Sequence, residues 1–326
     1  MGRRHVPFRV RKLGQLLRLV RESHAQPLLG ACRVPPKIGR GESAITFIGH
    51  SSFLIQTGGR ALLIDPVFAT RLVVLRRQRR PGVHLRDLPP IDLVLLTHAH
   101  MDHLNRPSLR AINRSMRQRG LPTPIAVVPP GVQDLMRGLG FRAVRTLGWW
   151  DSAEVAGLTI TATPARHWGA RLFHDTHRGF GGYMIRGEGA PGIYHSGDTA
   201  YFGGFREIGR RLRPEIALLP IGAYYPDSYR TVHTSPEEAL QAFHDLGART
   251  MIPMHYNTFR LGREPMNEPL PRLLNAARQA GVRERVQALA EGESWLSFAP
   301  DPEPHSDERW FPTLSGSNAK LQQAGD

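Results

Sequence analysis

At 326 residues and 40% hydrophobic, the chain is long enough for one large core or two modest ones, since domains run to about 100 to 200 residues. No stretch approaches the roughly 18 uninterrupted apolar residues of a membrane span, so a soluble, cytoplasmic protein is expected. A formal charge of +15 ordinarily points to nucleic acid or an anionic surface, but only Lys12, Lys37 and Lys320 are lysines, and arginine dispersed along the chain fits genomic base composition as well as a polyanion.

In chain order, Val10, Leu13, Leu16, Leu17 and Val20 recur at helical spacing among Arg and Lys, which predicts a basic amphipathic helix over residues 10–21. Such helices lie on anionic membranes, here peripherally at the inner face. The same stripe packs equally well on the domain or on a second subunit, in a homo-oligomer. Cys32 is the single cysteine, so no intrachain disulfide forms and a reducing compartment is allowed. Leu29-Gly30-Ala31-Cys32 has the form of a lipoprotein cleavage site, yet residues 21–27 are polar where a signal peptide needs about 7 to 15 apolar residues. From residue 43 the texture changes to strands at 44–48, 53–57 and 61–64, separated by Gly49-His50-Ser51 and Gly58-Gly59, an antiparallel meander. Residues 76–86, basic and containing Pro81, read as a surface loop.

Residues 93–104, L-V-L-L-T-H-A-H-M-D-H-L, start as a wholly apolar run of the kind a buried strand has, and then place four metal-competent side chains within six positions: His98, His100, Asp102 and His103. Imidazole nitrogen and carboxylate oxygen are the ligands Zn²⁺ takes in catalytic sites, and a strand end gives them a rigid base. Helices are predicted at 108–118 and 131–139, and strands at 125–128, 144–147, 153–155 and 158–162. The second half repeats the pattern, with strands at 182–185, 192–195, 215–219, 250–254, 286–288 and 294–298 and helices at 235–246, opened by Ser-Pro-Glu-Glu, and 271–280. Strands first and then mixed elements, twice over, imply an α/β fold of two sheets face to face with helices outside. The division expected is 1–42, an N-terminal helix and linker; 43–300, the catalytic domain; and 301–326, a polar tail expected to be disordered. Three further candidates stand where strands run out: His167 in P-A-R-H-W, Asp198 in H-S-G-D-T, and His255 after M-I-P-M.

This ordered set, His98, His100, Asp102, His103, His167, Asp198 and His255, resembles that of the metallo-β-lactamase superfamily, whose fold is an αββα sandwich with two metals along one edge. G-H-S-S-F-L-I at Gly49, I-D-P-V-F at Ile64, L-P-P-I-D at Leu88, W-W-D at Trp149, S-G-D-T-A-Y-F at Ser196, P-I-G-A-Y at Pro220 and H-T-S-P-E-E-A at His233 are similar to the branch containing N-acyl-phosphatidylethanolamine phospholipase D; L-ascorbate-6-phosphate lactonases share much of this outline. The resemblance implies that His98, His100 and His167 hold one metal, Asp102, His103 and His255 a second, and Asp198 bridges, with Asp102 and Asp198 the carboxylates of the catalytic step. It implies two Zn²⁺, other divalent metals being alternatives: iron oxidoreductases of the superfamily replace the second histidine of the motif by Glu, and this chain keeps His100. Two dications about 3.5 to 4 Å apart turn a bridging water into hydroxide near neutral pH. Arg166, Trp168, His174, Tyr224 and His233 are the expected substrate contacts, although Arg166 stands where the phospholipase branch commonly has Gln, and residues 173–183 depart from its Trp-rich version.

Three functions follow in order: a phosphodiester hydrolase of phospholipids, a hydrolase of a small ester, lactone or phosphorylated metabolite, and a nuclease. The last rests on charge alone: nucleases of this superfamily usually carry an added domain or an extended RNA-binding arm, and no insert of that size lies between Asp198 and His255. A non-catalytic binding protein would have lost ligands, and none is missing.

Overall fold

The computed structural model describes residues 18–24, 27–39, 41–172 and 174–298. Residues 10–17 of the predicted amphipathic helix and the tail from 301 lie outside them. Residues 18–24 are helical, and here the segment lies on the domain: Leu19 and Ser23 are buried, Ser23 Oγ accepts from Arg76 N at 3.1 Å, and Glu22 pairs with Arg260 at 2.5 Å.

The strands are β1 (Glu42–Gly49), β2 (Ser52–Thr57), β3 (Arg60–Ile64), β4 (Arg71–Leu72), β5 (Leu75–Arg76), β6 (Leu93–Leu95), β7 (Ile125–Val128), β8 (Ala143–Thr146), β9 (Ser152–Val155), β10 (Leu158–Thr163), β11 (Gly182–Arg186), β12 (Ile193–His195), β13 (Ile216–Pro220), β14 (Thr250–Met254) and β15 (Ser294–Phe298). The helices are α1 (Arg106–Gln118), α2 (Gly204–Leu212), α3 (Pro236–Leu246) and α4 (Pro269–Gln279). One sheet has the order β15-β1-β2-β3-β6-β7-β8, the other β14-β13-β12-β11-β10-β9, and β4-β5 is a small hairpin.

Side-chain alternation builds the layers, because successive strand residues point to opposite faces. Ile45, Phe47, Phe53, Ile55, Leu62, Leu93 and Leu95 of the first sheet meet Ile185, Ile193, Ile216, Leu218 and Ile252 of the second between the sheets. The intervening Leu54, Leu63 and Val94 pack outward against Leu109, Ile112 and Met116 of α1. On the far side, Met184, Tyr194, Ala217 and Met251 pack against Phe205 of α2, Phe243 of α3 and Leu273 of α4. The result is an αββα sandwich. The Gly58-Gly59 pair has φ of 55° and 70°, the left-handed geometry that a two-residue hairpin between β2 and β3 needs. Helix α3 opens with the capping box that Ser235 and Glu238 form, as its Ser-Pro-Glu-Glu start predicts. No described helix is long and apolar enough to cross a membrane.

Four expectations differ from the structure. Residues 131–139 form only a short 3-10 turn, Gln133–Met136, because Pro130, Gly131 and Gly138 bracket a stretch too short to propagate a helix. Residues 286–288 contribute a single bridge, Val286 to Met251. Helix α2 went unread, its Phe205 and Ile208 being diluted by Gly and Arg. The loop at 76–86 is not all surface: Arg77 is 0% exposed, with its guanidinium donating to Val67 O at 2.7 Å and Arg79 O at 2.6 Å.

Direction fixes the place of the site. β1 is antiparallel to β2 and β2 to β3, so β1 and β3 run together, and β6 is parallel to β3. By the same count β10, β12, β13 and β14 run together. The carboxyl ends of these strands carry every candidate ligand, and such ends are where α/β sheets build their sites.

Candidate metal centre

The seven residues expected as ligands converge. His98 Nε2 lies 2.8 Å and His167 Nε2 3.3 Å from His100 Nδ1. Asp198 Oδ2 lies 3.0 Å from His255 Nε2, 3.2 Å from His103 Nε2 and 4.0 Å from His167 Nε2. Asp102 Oδ2 lies 3.5 Å from His103 Nε2 and 3.7 Å from His255 Nε2. Their ligand atoms fall into two groups, His98-His100-His167 and Asp102-His103-His255, the second with His50 beside it, joined through Asp198.

Hydrogen bonds around the rim settle the tautomers. Asp65 Oδ2 and Val232 O can only accept, so His103 Nδ1 donates to the first at 2.7 Å and His167 Nδ1 to the second at 2.8 Å. Thr97 Oγ1 gives its own hydrogen to Asp65 Oδ2 at 2.6 Å, so at 2.9 Å it accepts from His98 Nδ1. His98 and His167, both neutral, then carry a bare Nε2 lone pair facing inward, and His103 presents its Nε2 inward as well, the arrangement that outer hydrogen bonds impose on metal-ligating histidine. His103 Nε2, His255 Nε2 and Asp198 Oδ1 are buried with no hydrogen-bond partner. The two nitrogens are within 3.2 Å of a carboxylate oxygen yet out of line with it. Atoms that crowd together without pairing are arranged for a shared cation, since buried polar groups left unmatched are costly. The donor set of His nitrogen and Asp oxygen fits zinc and related divalent metals.

Burial and charge divide the imidazoles. Burial, helped by the neighbouring His103, holds His98 well below its ordinary pKa, and burial does the same for His167 and, less strongly, His100. Burial also opposes protonation of His255, but Asp198 and Asp102 outweigh it and lift the ring to about 9; His103 is raised well above its ordinary value by Asp198, Asp102 and Asp65 against its own desolvation.

Two residues that the sequence reading left out of the site belong to it. Asp65, directly after β3, orients His103 and also accepts Thr97 N at 2.8 Å. His50, directly after β1, bonds Asp102 Oδ2 through Nε2 at 3.0 Å. Both lie in motifs quoted for the family likeness, I-D-P-V-F and G-H-S-S-F, and both sit where a strand ends. Asp65, His50 and His255 have φ of 43°, 62° and 60°, strained conformations of about 1–3 kcal/mol each that cluster at functional sites. Arg171 pins the ligand loop, donating to Ala99 O at 2.8 Å and Leu104 O at 2.9 Å.

The expected substrate contacts scatter. The Trp168 ring lies 4.4 Å from His167 and 4.9 Å from His100, and His233 is buried with Nδ1 3.8 Å from Asp198 Oδ2. Arg166 is exposed at the rim beside His167. Tyr224 turns to another neighbourhood, its hydroxyl donating to Glu268 at 2.6 Å under the Arg272 guanidinium. His174 is exposed, and among the described residues no hydrogen bond, ion pair or ring contact joins it to the cluster.

Residues 60–256 match the family model described as "Beta-lactamase superfamily domain". The chain is 31% identical over 259 residues to a UPF0173 metal-dependent hydrolase of Rubrobacter xylanophilus, covering 78% of this chain and 96% of that one. It is 31% identical over 262 residues to the mitochondrial N-acyl-phosphatidylethanolamine-hydrolyzing phospholipase D of Saccharomyces cerevisiae, covering 76% of this chain and 55% of that one. The solved structure of Igni18, a metallo hydrolase from the archaeon Ignicoccus hospitalis, aligns with TM-score 0.58 at 29% identity, covering 78% of this chain and 98% of Igni18. The chain therefore belongs to the metallo-β-lactamase superfamily. Its place there is among the metal-dependent hydrolases.

Proposed function

We propose that this hydrolase is a phosphodiesterase acting on phospholipids of the N-acyl-phosphatidylethanolamine type through a dinuclear zinc centre. His98, His100 and His167 hold one cation, Asp102, His103 and His255 the other, and Asp198 lies between them. Divalent cations so held supply Lewis acidity and acidify water to near neutrality. The chain's own groups do the rest. Asp198 and Asp102 place negative charge between the imidazoles and keep them fixed. Burial lowers the His233 pKa to about 3, so this ring is neutral, and its Nδ1, without a hydrogen-bond partner, is free to hydrogen-bond a substrate oxygen. Trp168 covers the histidines from solvent and Arg166 meets the phosphate.

The observation that carries the phospholipid reading is a cavity of about 290 Å³ lined by Pro129, Pro130, Leu147, Trp149, Phe180 and Tyr183. Phe180 forms its wall and packs edge-on against His167, ring centroids 6.4 Å apart, which sets an apolar compartment against the metal ligands. It suits an acyl chain, and the similarity to the yeast phospholipase D points the same way. The peripheral position at an inner membrane face, through residues 10–21, is part of this reading.

Assays of the zinc-loaded protein on N-acylated phosphatidylethanolamine, a lactone panel and RNA separate it from a small-metabolite esterase or lactonase and from a nuclease. Release of phosphatidic acid from the first is the expected result; turnover of lactones alone overturns it. Liposome binding unchanged by deletion of residues 1–22 removes the membrane contact.

A further inference from the structure

His50 is buried at the base of the cluster and has no part in the assignments above. We propose that it is the positioning residue of the carboxylate-bearing half of the centre: its Nε2–H fixes the Asp102 carboxylate, leaving the remaining lone pairs of Asp102 for a cation shared with His103 and His255. The inference rests on the metal reading of the site.

Orientation separates His50 from its neighbours. The Nε2 atoms of His103 and His255 come within 3.2 Å of a carboxylate oxygen and still make no hydrogen bond, as ligands of a common ion do. The His50 Nε2 reaches Asp102 Oδ2 at 3.0 Å in hydrogen-bonding geometry. A carboxylate only accepts, so His50 donates, the bond an outer partner makes to a metal-ligating Asp.

The backbone is built to deliver that ring. His50 has φ of 62°, a left-handed conformation that costs a non-glycine residue strain and persists only where its surroundings over-determine it. Here its N–H donates to Thr258 Oγ1 at 2.7 Å, and its carbonyl accepts from His255 N at 2.9 Å. His255 has φ of 60°, so two strained residues on different sheets are tied to each other and both turn their rings towards Asp102. The His50 ring is seated edge-on against Phe259 at 5.4 Å, and Phe259 carries the buried Arg77 guanidinium 5.3 Å from its centroid. His50 Nδ1 is buried without a partner. An apolar side chain would fill the space with no such unmatched atom, and the bond to Asp102 is what distinguishes the imidazole from one.

The test titrates Zn²⁺ into the full-length metal-free protein in competition with a chromophoric chelator, resolving two dissociation constants. His50→Asn keeps a residue that tolerates positive φ but is too short to reach Asp102. It is expected to leave one ion at wild-type affinity and weaken the other by about 10- to 100-fold. His50→Gln, whose amide nitrogen reaches about as far as the imidazole Nε2, is expected to recover most of that loss. Thr258→Val removes the acceptor of the His50 N–H and leaves the imidazole in place; it weakens the same ion by less, and decides the matter if His50→Asn does not fold. Wild-type affinity for both ions in His50→Asn overturns the inference, as does a folded His50→Gln as weak as His50→Asn, or an unchanged Thr258→Val where His50→Asn is unfolded. A wild-type chain that takes up no zinc overturns the metal reading itself, an outcome distinct from the others.

Discussion

The two halves of the centre use the same side chain in opposite states. Around His98, His100 and His167 no carboxylate among the described residues stands closer than Asp198 Oδ2, 4.0 Å from His167, and burial keeps all three rings below their ordinary pKa. Around His103 and His255, Asp102 and Asp198 lie within 3.7 Å, with Asp65 a third carboxylate 2.7 Å from His103, and they override the same burial. Both halves are interior, so depth does not decide. The placement of the aspartates determines whether an imidazole offers a free lone pair or holds a proton that a cation must displace.

Asp198 brings one carboxylate within 4.0 Å of ligands in both halves, and losing its charge gives the largest expected effect. In Asp198→Asn, hydrolysis of bis(p-nitrophenyl) phosphate should fall at least about a thousandfold, roughly 4 kcal/mol of transition-state stabilisation, with circular dichroism unchanged. A variant that keeps a tenth of the activity would show that the halves work without a shared carboxylate.

The second effect is in pH. In the metal-free protein the His255 pKa of about 9 lies above the unfolded value near 6.5. The stability gained from its proton is therefore full below about 6.5 and lost as pH rises through about 9. A cation must displace that proton and the one held by His103, so the affinity of the carboxylate-bearing half should rise at least about tenfold per pH unit from 7 towards 9, while the His98-His100-His167 half stays flat. Zinc titration calorimetry in buffers of different ionisation enthalpy should report proton release from the first of these alone; two flat profiles would erase the distinction.

Asp65→Asn tests how the halves are coupled mechanically. Asp65 holds His103 directly and His98 through Thr97, so with two ions bound as proposed, both should bind about 10- to 100-fold more weakly, the His103 side more so. Loss confined to one ion, in equilibrium dialysis, would sever the link through Thr97.

How much of this the amino-acid sequence carries follows from what each residue depends on. His98 to His103 are legible because four donors share one loop off an apolar strand. His167, Asp198 and His255 are legible because each follows a strand. The same rule applied to Ile64 and Gly49 reaches Asp65 and His50, but a lone Asp before Pro66 or a lone His in a turn carries no local sign of a ligand set. What makes them part of the site is the parallel direction of β1, β3 and β6, a property of strand pairing that no local window contains. Arg77 shows the same limit from the other side: a run of arginines reads as solvated, and only the packing of Phe259 and the carbonyls of Val67 and Arg79 draws one of them inside. Tyr224 was drawn to the site by its neighbours in sequence, and the Glu268 and Arg272 side chains hold it elsewhere.

The smallest effect belongs to the cover over the carboxylate-free half. Trp168 is 43% exposed and touches His100 and His167 by ring contact alone, without a hydrogen bond that would orient either imidazole. Removing it leaves the outer bonds of His98 and His167 intact, so metal content should not change. What is lost is a flat apolar face beside the substrate, of about 0.5–1.5 kcal/mol, which corresponds to a KM about two- to twelvefold higher at constant kcat in Trp168→Ala. Because no carboxylate-held proton lies beneath this ring, the ratio of variant to wild-type KM should be the same at pH 7 and pH 9. A ratio that moves with pH would mean that Trp168 reports on the protonated half, and that the two halves are less separate than their charges make them.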